Sequence, residues 1–166
     1  MKIVVKMTAR DLFDFSMYNS YSGFTGIFNI VFTVGAVVIL AVTWNWPTVN
    51  VYQKILLVFC ALIFTVVQPI LLMQKSKQKA ASIGFSLPIT LTLSDEKFAV
   101  EQGGVTGDME WGQIWKVICI KSLYIIKVGP IRAYLIPKRS VEGREKELES
   151  ILKKNLPVSK MKGLKA

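Results

Sequence analysis

The stretch FTGIFNIVFTVGAVVILAVTW (residues 24–44), NWPTVNVYQK (45–54), ILLVFCALIFTVVQPILLM (55–73) decides the fold of this 166-residue chain. No charged side chain occurs between Asp14 and Lys54. As helices the two apolar blocks are about 31 and about 28 Å long, which matches a bilayer hydrocarbon core of about 30 Å. A chain of this size cannot bury two such blocks in a soluble core, so the pattern predicts a transmembrane hairpin with spans over 24–44 and 55–73. Pro47 and the asparagines around it make the connecting segment a turn. Trp44, Trp46 and Tyr52 bracket that turn, and Tyr18, Tyr21 and Phe24 bracket the other end, the aromatic distribution of two membrane–water interfaces. Asn29 is the one strongly polar side chain of the first span, and a helix or headgroup partner is expected for it. Gly26, Gly35, Ala36 and Ala41 allow close helix approach without forming a G-x-x-x-G motif. Pro69 is expected to kink or end the second helix, as membrane helices tolerate.

Charge gives the hairpin a direction. Lys75, Lys77 and Lys79 follow the second span with no acid among them, Lys2, Lys6 and Arg10 precede the first, and the turn holds only Lys54. Basic residues accumulate on the cytoplasmic side, so both termini are expected there. Lys75, Lys77 and Lys79 are candidate contacts for anionic lipid headgroups. At about 1 kcal/mol each they contribute about 3 kcal/mol, small beside two inserted helices, so they orient rather than anchor.

The net charge of +10 divides evenly: 7 Lys/Arg against 2 Asp/Glu over residues 1–82, and 14 against 9 over residues 83–166. The surplus is diffuse, with no arginine-rich helix and no interleaving of basic and aromatic residues, so nucleic acid is not an expected partner. Histidine is absent, which removes imidazole catalysis and the commonest metal ligand. Cys60 sits in an apolar block and Cys119 in a strand-like run, so neither a disulfide framework nor a cysteine metal site is expected.

Around the hairpin the pattern changes. Lys2–Met7 alternates loosely and reads as a short strand. Thr8-Ala9-Arg10-Asp11 resembles a capping box. Leu12, Phe13, Phe15 and Met17 follow it on a short helix, which either packs on the domain or lies at the bilayer surface. After Lys79, Ile89–Leu93 alternates strictly, and Phe98 and Val100 continue on a second strand. Gly103-Gly104 marks a hairpin turn, and further strands are expected over 105–110, 115–121, 123–128 and 131–136. Trp111-Gly112-Gln113-Ile114 interrupts the series, with Trp111 expected in the core. From Ser140 onward Val141, Leu148, Ile151 and Leu152 share one helical face. Pro157 ends that helix, and a frayed basic tail is expected beyond it.

The fold class that follows is an α+β membrane protein. Its hairpin precedes a small antiparallel β domain, which a C-terminal amphipathic helix caps. Leu91-Thr92-Leu93-Ser94-Asp95-Glu96, Glu110-Trp111 with Ile114, and Ile136-Pro137-Lys138-Arg139 resemble the YcxB-like family. That resemblance implies a bacterial inner-membrane protein whose cytoplasmic domain is pleckstrin-homology-like, and it implies no reaction. The expected organisation is a strand and short helix over 1–23, the hairpin over 24–73, and a basic juxtamembrane linker over 74–82. The cytoplasmic domain is expected over 83–157 and the tail over 158–166.

No catalytic constellation stands out. Asp95, Glu96, Glu101, Asp108 and Glu110 fall at turns and strand ends, where solvated tips are expected rather than a general acid–base pair. Gly103-Gly104 lacks the lysine of a phosphate-binding loop. Lys138 and Arg139 stand at a strand-to-helix corner, either as solvated scaffold or as a contact for a partner. We therefore expect a non-enzymatic membrane protein, without a cofactor, whose domain binds a protein or the membrane surface. The alternative is a structural or regulatory subunit acting through its hairpin.

Overall fold

Two helices carry the apolar stretch: α2 (Gly23–Thr43) and α3 (Val51–Ala81), both long and apolar enough to cross a membrane. The computed structural model describes residues 1–130 and 132–164. Ile131, where a strand is expected to begin, and Lys165 and Ala166 of the expected tail lie outside the described residues. Helix α2 lies within one residue of the predicted span. Helix α3 does not stop with its apolar residues: it has 31 residues, about 46 Å, and takes in 75–79 as helix rather than linker. Gln, Lys and Ala are good helix formers, so the helix outlasts its apolar face. Asn50 starts it with a reciprocal capping box to Gln53, the backbone N–H of Gln53 lying 2.9 Å from Asn50 Oδ1.

Pro69 acts on α3 in a way that periodicity does not reveal. Ile63–Val67 form a π-turn, in which the Gln68 N–H donates to the Ile63 carbonyl. Proline has no N–H, so the Phe64 carbonyl finds no backbone donor at either 68 or 69. The Tyr21 hydroxyl donates to that carbonyl instead. Tyr21→Phe should therefore cost about 2 kcal/mol, the penalty of an unpaired carbonyl away from water, read as thermal unfolding in detergent. In a Pro69→Leu background the N–H restored at 69 extends the π-turn by one i→i+5 bond onto the Phe64 carbonyl, and the same change should cost little. Equal costs in both backgrounds would refute the coupling.

Before the hairpin come β1 (Lys2–Val5) and α1 (Ala9–Tyr21). After it come a short helix α4 (Ile83–Ser86) and the strands β2 (Ile89–Leu93), β3 (Lys97–Gln102), β4 (Val105–Glu110), β5 (Lys116–Cys119), β6 (Leu123–Lys127) and β7 (Ala133–Pro137). Helix α5 (Glu145–Asn155) and a two-residue strand β8 (Met161–Lys162) follow. Among the described residues the strands form two four-stranded sheets, ordered β1-β2-β3-β4 and β7-β6-β5-β8. All pairings are antiparallel except the parallel β5–β8 pair. The small sheet domain with its C-terminal helix thus follows two apolar helices, as the α+β reading expects.

Two details go beyond that reading. Strand β1 pairs with β2, Ile3 opposite Leu91 and Val5 opposite Ile89, so the first sheet is built from chain on both sides of the hairpin. Met161 lies opposite Val117, so that part of the expected frayed tail closes the edge of β5. Alternation puts Ile3, Val5, Leu91, Leu93 and Phe98 on one buried face of the first sheet. The second sheet is buried on both faces at β6, with Val117, Tyr124, Ile126 and Ile136 on one and Leu123, Ile125 and Leu135 on the other. Trp111 opens a single 3₁₀ turn (Trp111–Gln113) between the sheets; it is buried, and its indole N–H donates to the Ser94 carbonyl at 3.1 Å.

The terminal helix begins later than predicted. Lys138–Val141 form a 3₁₀ turn, and Gly143 adopts φ of 77°. A left-handed residue cannot continue a helix, so α5 starts at Glu145. Its Leu148 and Leu152 are completely buried against the sheets. The buried Tyr124 of β6 donates to Glu149 at 2.9 Å and ties the helix down; burial first, and then this bond, push the Tyr124 hydroxyl pKa upward.

Candidate functional site

Where the hairpin joins the sheet domain, α1, the polar end of α3, and the β7 corner meet. Helix α1 owes its start to Thr8: its side chain accepts from the Asp11 backbone, and the Asp11 carboxylate accepts from the Thr8 backbone at 2.8 Å and the Thr8 hydroxyl at 2.7 Å. This is the capping box that the sequence suggests. The same carboxylate has a second task. Its side chain is only 3% exposed, and both of its oxygens accept from the Arg139 guanidinium at 2.5 Å. Arg139 also donates to the Lys6 carbonyl at 3.1 Å. One turn along α1, Asp14 accepts from Ser122 at 2.7 Å and pairs with Arg10 at 3.3 Å. Three segments far apart in sequence are joined at one helix.

The electrostatics follow from this geometry. Burial alone raises the Asp11 pKa, but hydrogen bonds from Arg139 and from the Thr8 side chain and backbone outweigh it and hold the carboxyl below its ordinary value. Arg139 is correspondingly raised, first by its bonds to Asp11. A bidentate guanidinium on a buried carboxylate is strong and directional. The arrangement fixes α1 against the domain and commits both terminal nitrogens of Arg139 to that contact, while about half of the side chain stays exposed.

Sequence reasoning groups Lys138 and Arg139 as one contact corner. The structure separates their tasks: Arg139 faces Asp11, while Lys138 is half-buried with its ammonium 5.4 Å from the centre of the Tyr124 ring. Lys75, Lys77 and Lys79 are all exposed on α3. At about 100° per residue, Lys75 and Lys79 share one side of the helix and Lys77 stands opposite. They form no single cluster. Between them Ser76 is buried, where α1 packs along α3. Of the two environments open to α1, the structure shows packing on α3 and on the domain. Beside Lys79 lies a cavity of about 180 Å³, walled by Leu12, Phe15 and Ser16 of α1, Phe85 of α4, and Tyr134 and Leu135 of β7.

At the opposite end, Trp44, Trp46 and Tyr52 are exposed around the turn. Lys54, which sequence reasoning treats only as a lone charge, donates to the Trp44 carbonyl at 2.6 Å and lies 5.6 Å from the Trp44 ring centre. In the domain, Lys97–Asp108 at 2.5 Å and Lys154–Asp95 at 2.6 Å are exposed pairs, worth little singly. Trp115 is 57% exposed. Among the described residues no three metal-binding side chains converge, and both cysteines are free. Sequence reasoning missed Asp11 and Asp14 as tethers, since their partners lie more than 100 residues away.

Residues 93–153 match the family described as YcxB-like protein. The match runs from the end of β2 into α5 and leaves out β1, α1 and the hairpin. No curated protein and no solved structure matches the chain.

Proposed function

We propose, taking the YcxB-like match of residues 93–153 as the premise, that this is a non-enzymatic integral membrane protein of a bacterial cytoplasmic membrane. Its pleckstrin-homology-like domain is held at the cytoplasmic face to bind a protein or the membrane surface. The observation that carries the reading is the outward apolar surface of the hairpin. Only 17% of the apolar window of α2, and none of that of α3, is buried, whereas the core helix of a soluble protein hides such a face. The two sheets followed by a C-terminal helix support the pleckstrin-homology-like description.

The hairpin interrupts the first sheet between β1 and β2, so the domain is tied to both of its cytoplasmic ends. Such a domain is not a bead on a flexible string. Helix α1, locked to the domain by Asp11 and Asp14 and packed along α3, transmits the position of the spans to the sheets. Lys75, Lys77 and Lys79 then lie at headgroup depth.

The test uses the full chain. Single cysteines at the exposed positions Val105 and Tyr52, with Cys60 and Cys119 replaced, should react with an impermeant thiol reagent from opposite faces, Val105 only after the cytoplasmic side is opened. Recovery of the protein in the supernatant after alkaline extraction would end the membrane reading; labelling of Val105 in intact cells would reverse the orientation. Replacing Lys75, Lys77 and Lys79 by Gln should remove about 3 kcal/mol of attraction to anionic headgroups. In nanodiscs of mixed lipid this reads as lost enrichment of spin-labelled anionic lipid around the protein, with the protein still membrane-bound. Unchanged enrichment would dismiss these lysines as lipid contacts.

A further inference from the structure

Gln68 is a primary amide in the middle of an apolar helix. Lys54 and Lys75 bracket the uncharged part of α3, and Gln68 stands seven residues before Lys75, about 10 Å inside that boundary. Side chains on a helix lean toward its N-terminus, which directs this amide deeper into the apolar layer and away from the headgroups. No hydrogen bond reaches it among the described residues. The Phe64 carbonyl one turn back already accepts the Tyr21 hydroxyl. Around it lies an open groove of about 330 Å³ along one face of α3, formed by Ile63, Val67, Leu71, Leu72 and Lys75.

We propose that this groove is where a second copy of the chain docks, parallel and related by a two-fold axis, with the two Gln68 amides hydrogen-bonded to each other. The inference rests on the membrane reading above. Lipid tails offer the amide neither donor nor acceptor. An amide carries both, so two copies meeting on a two-fold axis exchange a pair of bonds without any other polar residue. That self-complementarity selects the same chain over a different helix, because an isologous contact needs only one patch. The flanking apolar residues supply packing, which with interhelical hydrogen bonds drives helix association in lipid. Lys75, the charged end of the groove, lies at headgroup level, where salt and anionic lipid screen the like charge of its counterpart.

The test is oxidative cross-linking of the full chain in native membranes, with Cys60 and Cys119 replaced by Ala. Leu72→Cys places a thiol one turn along the groove, and Ile70→Cys places one on a different side of α3. A disulfide dimer is expected from Leu72→Cys and not from Ile70→Cys. Adding Gln68→Leu should weaken association about tenfold, the effect of losing roughly 1.4 kcal/mol of interhelical hydrogen bonding, while Gln68→Asn should retain most of it. Absence of the Leu72 dimer from protein that survives alkaline extraction overturns the second-copy assignment and leaves the membrane reading standing. Equal cross-linking in the Gln68→Leu background overturns the role of the amide. Loss of the protein on extraction overturns the membrane reading, and this proposal with it.

Discussion

Arg139→Met should lower the stability of the junction by about 2 kcal/mol, and Asp11→Asn by about half as much. The inequality is the informative part. Asp11 has a side chain only 3% exposed, whereas that of Arg139 is 48% exposed. Removing the guanidinium strands a carboxylate away from water, a change worth 3–5 kcal/mol in a fully buried pair; we scale this to about 2 kcal/mol because half of the pair is solvated. Removing the carboxylate lets the guanidinium return to water, and the loss is then about 1 kcal/mol of helix capping. A surface ion pair would give two small and similar values. Thermal unfolding of the full chain in detergent, followed by near-ultraviolet signals from the domain tryptophans, separates the two cases.

The same pair has a pH signature with a definite sign. The Asp11 carboxyl is held below the ordinary value of 3.8 in the folded protein, because the hydrogen bonds from Arg139 and Thr8 outweigh the cost of burial. A depressed carboxylate adds stability that is complete above the unfolded value and disappears as pH falls through the lower, folded one. The wild-type chain should therefore lose the Asp11 contribution only below about pH 4, and Asp11→Asn should show a shallower decline through that window. An identical slope in both would mean that other carboxylates carry the acid sensitivity.

What the sequence revealed and what it hid follow from the range of each interaction. The apolar blocks, the Thr8–Asp11 capping box and the strand alternation are local, and each shows within a few residues of itself. The length of α3 is local too, but hydropathy reports where the apolar residues stop, while helix propensity decides where the helix stops. Gln74 to Ala81 separate those two endpoints. Gly143 is visible as a glycine, but only its left-handed backbone tells that α5 must wait until Glu145. The candidate site was the least legible part. The partners of Asp11 and Asp14 are Arg139 and Ser122, and their adjacency exists only because β1 pairs with β2 across the whole hairpin. Gln68 illustrates the opposite failure: the residue is in plain sight within an apolar block, but its lack of a partner emerges only when its neighbours are placed.

Gly26→Ala should destabilise the chain by about 3 kcal/mol, whereas Gly35→Ala, nine residues further along the same helix, should not destabilise it at all. A Cβ on Gly26 would lie 2.2 Å from the Tyr21 carbonyl oxygen and 2.4 Å from its carbonyl carbon. Those are backbone atoms, so no rotamer change relieves the overlap, and the elbow between α1 and α2 must open. Overpacking of this kind costs 1–3 kcal/mol or more, and the rigid neighbour places this position at the upper end. A Cβ on Gly35 meets nothing within 4 Å, so only helix propensity acts there, favouring alanine by up to about 1 kcal/mol. Opening the elbow also withdraws Tyr21 from the Phe64 carbonyl and unseats α1 from α3, so the defect should spread beyond the helix that carries it. Hydrogen exchange should show lost protection in 9–21 and 63–69 for Gly26→Ala, with the sheets unchanged. If protection is lost only within 23–30, the elbow does not couple the hairpin to the domain, and α1 is a tether rather than a lever.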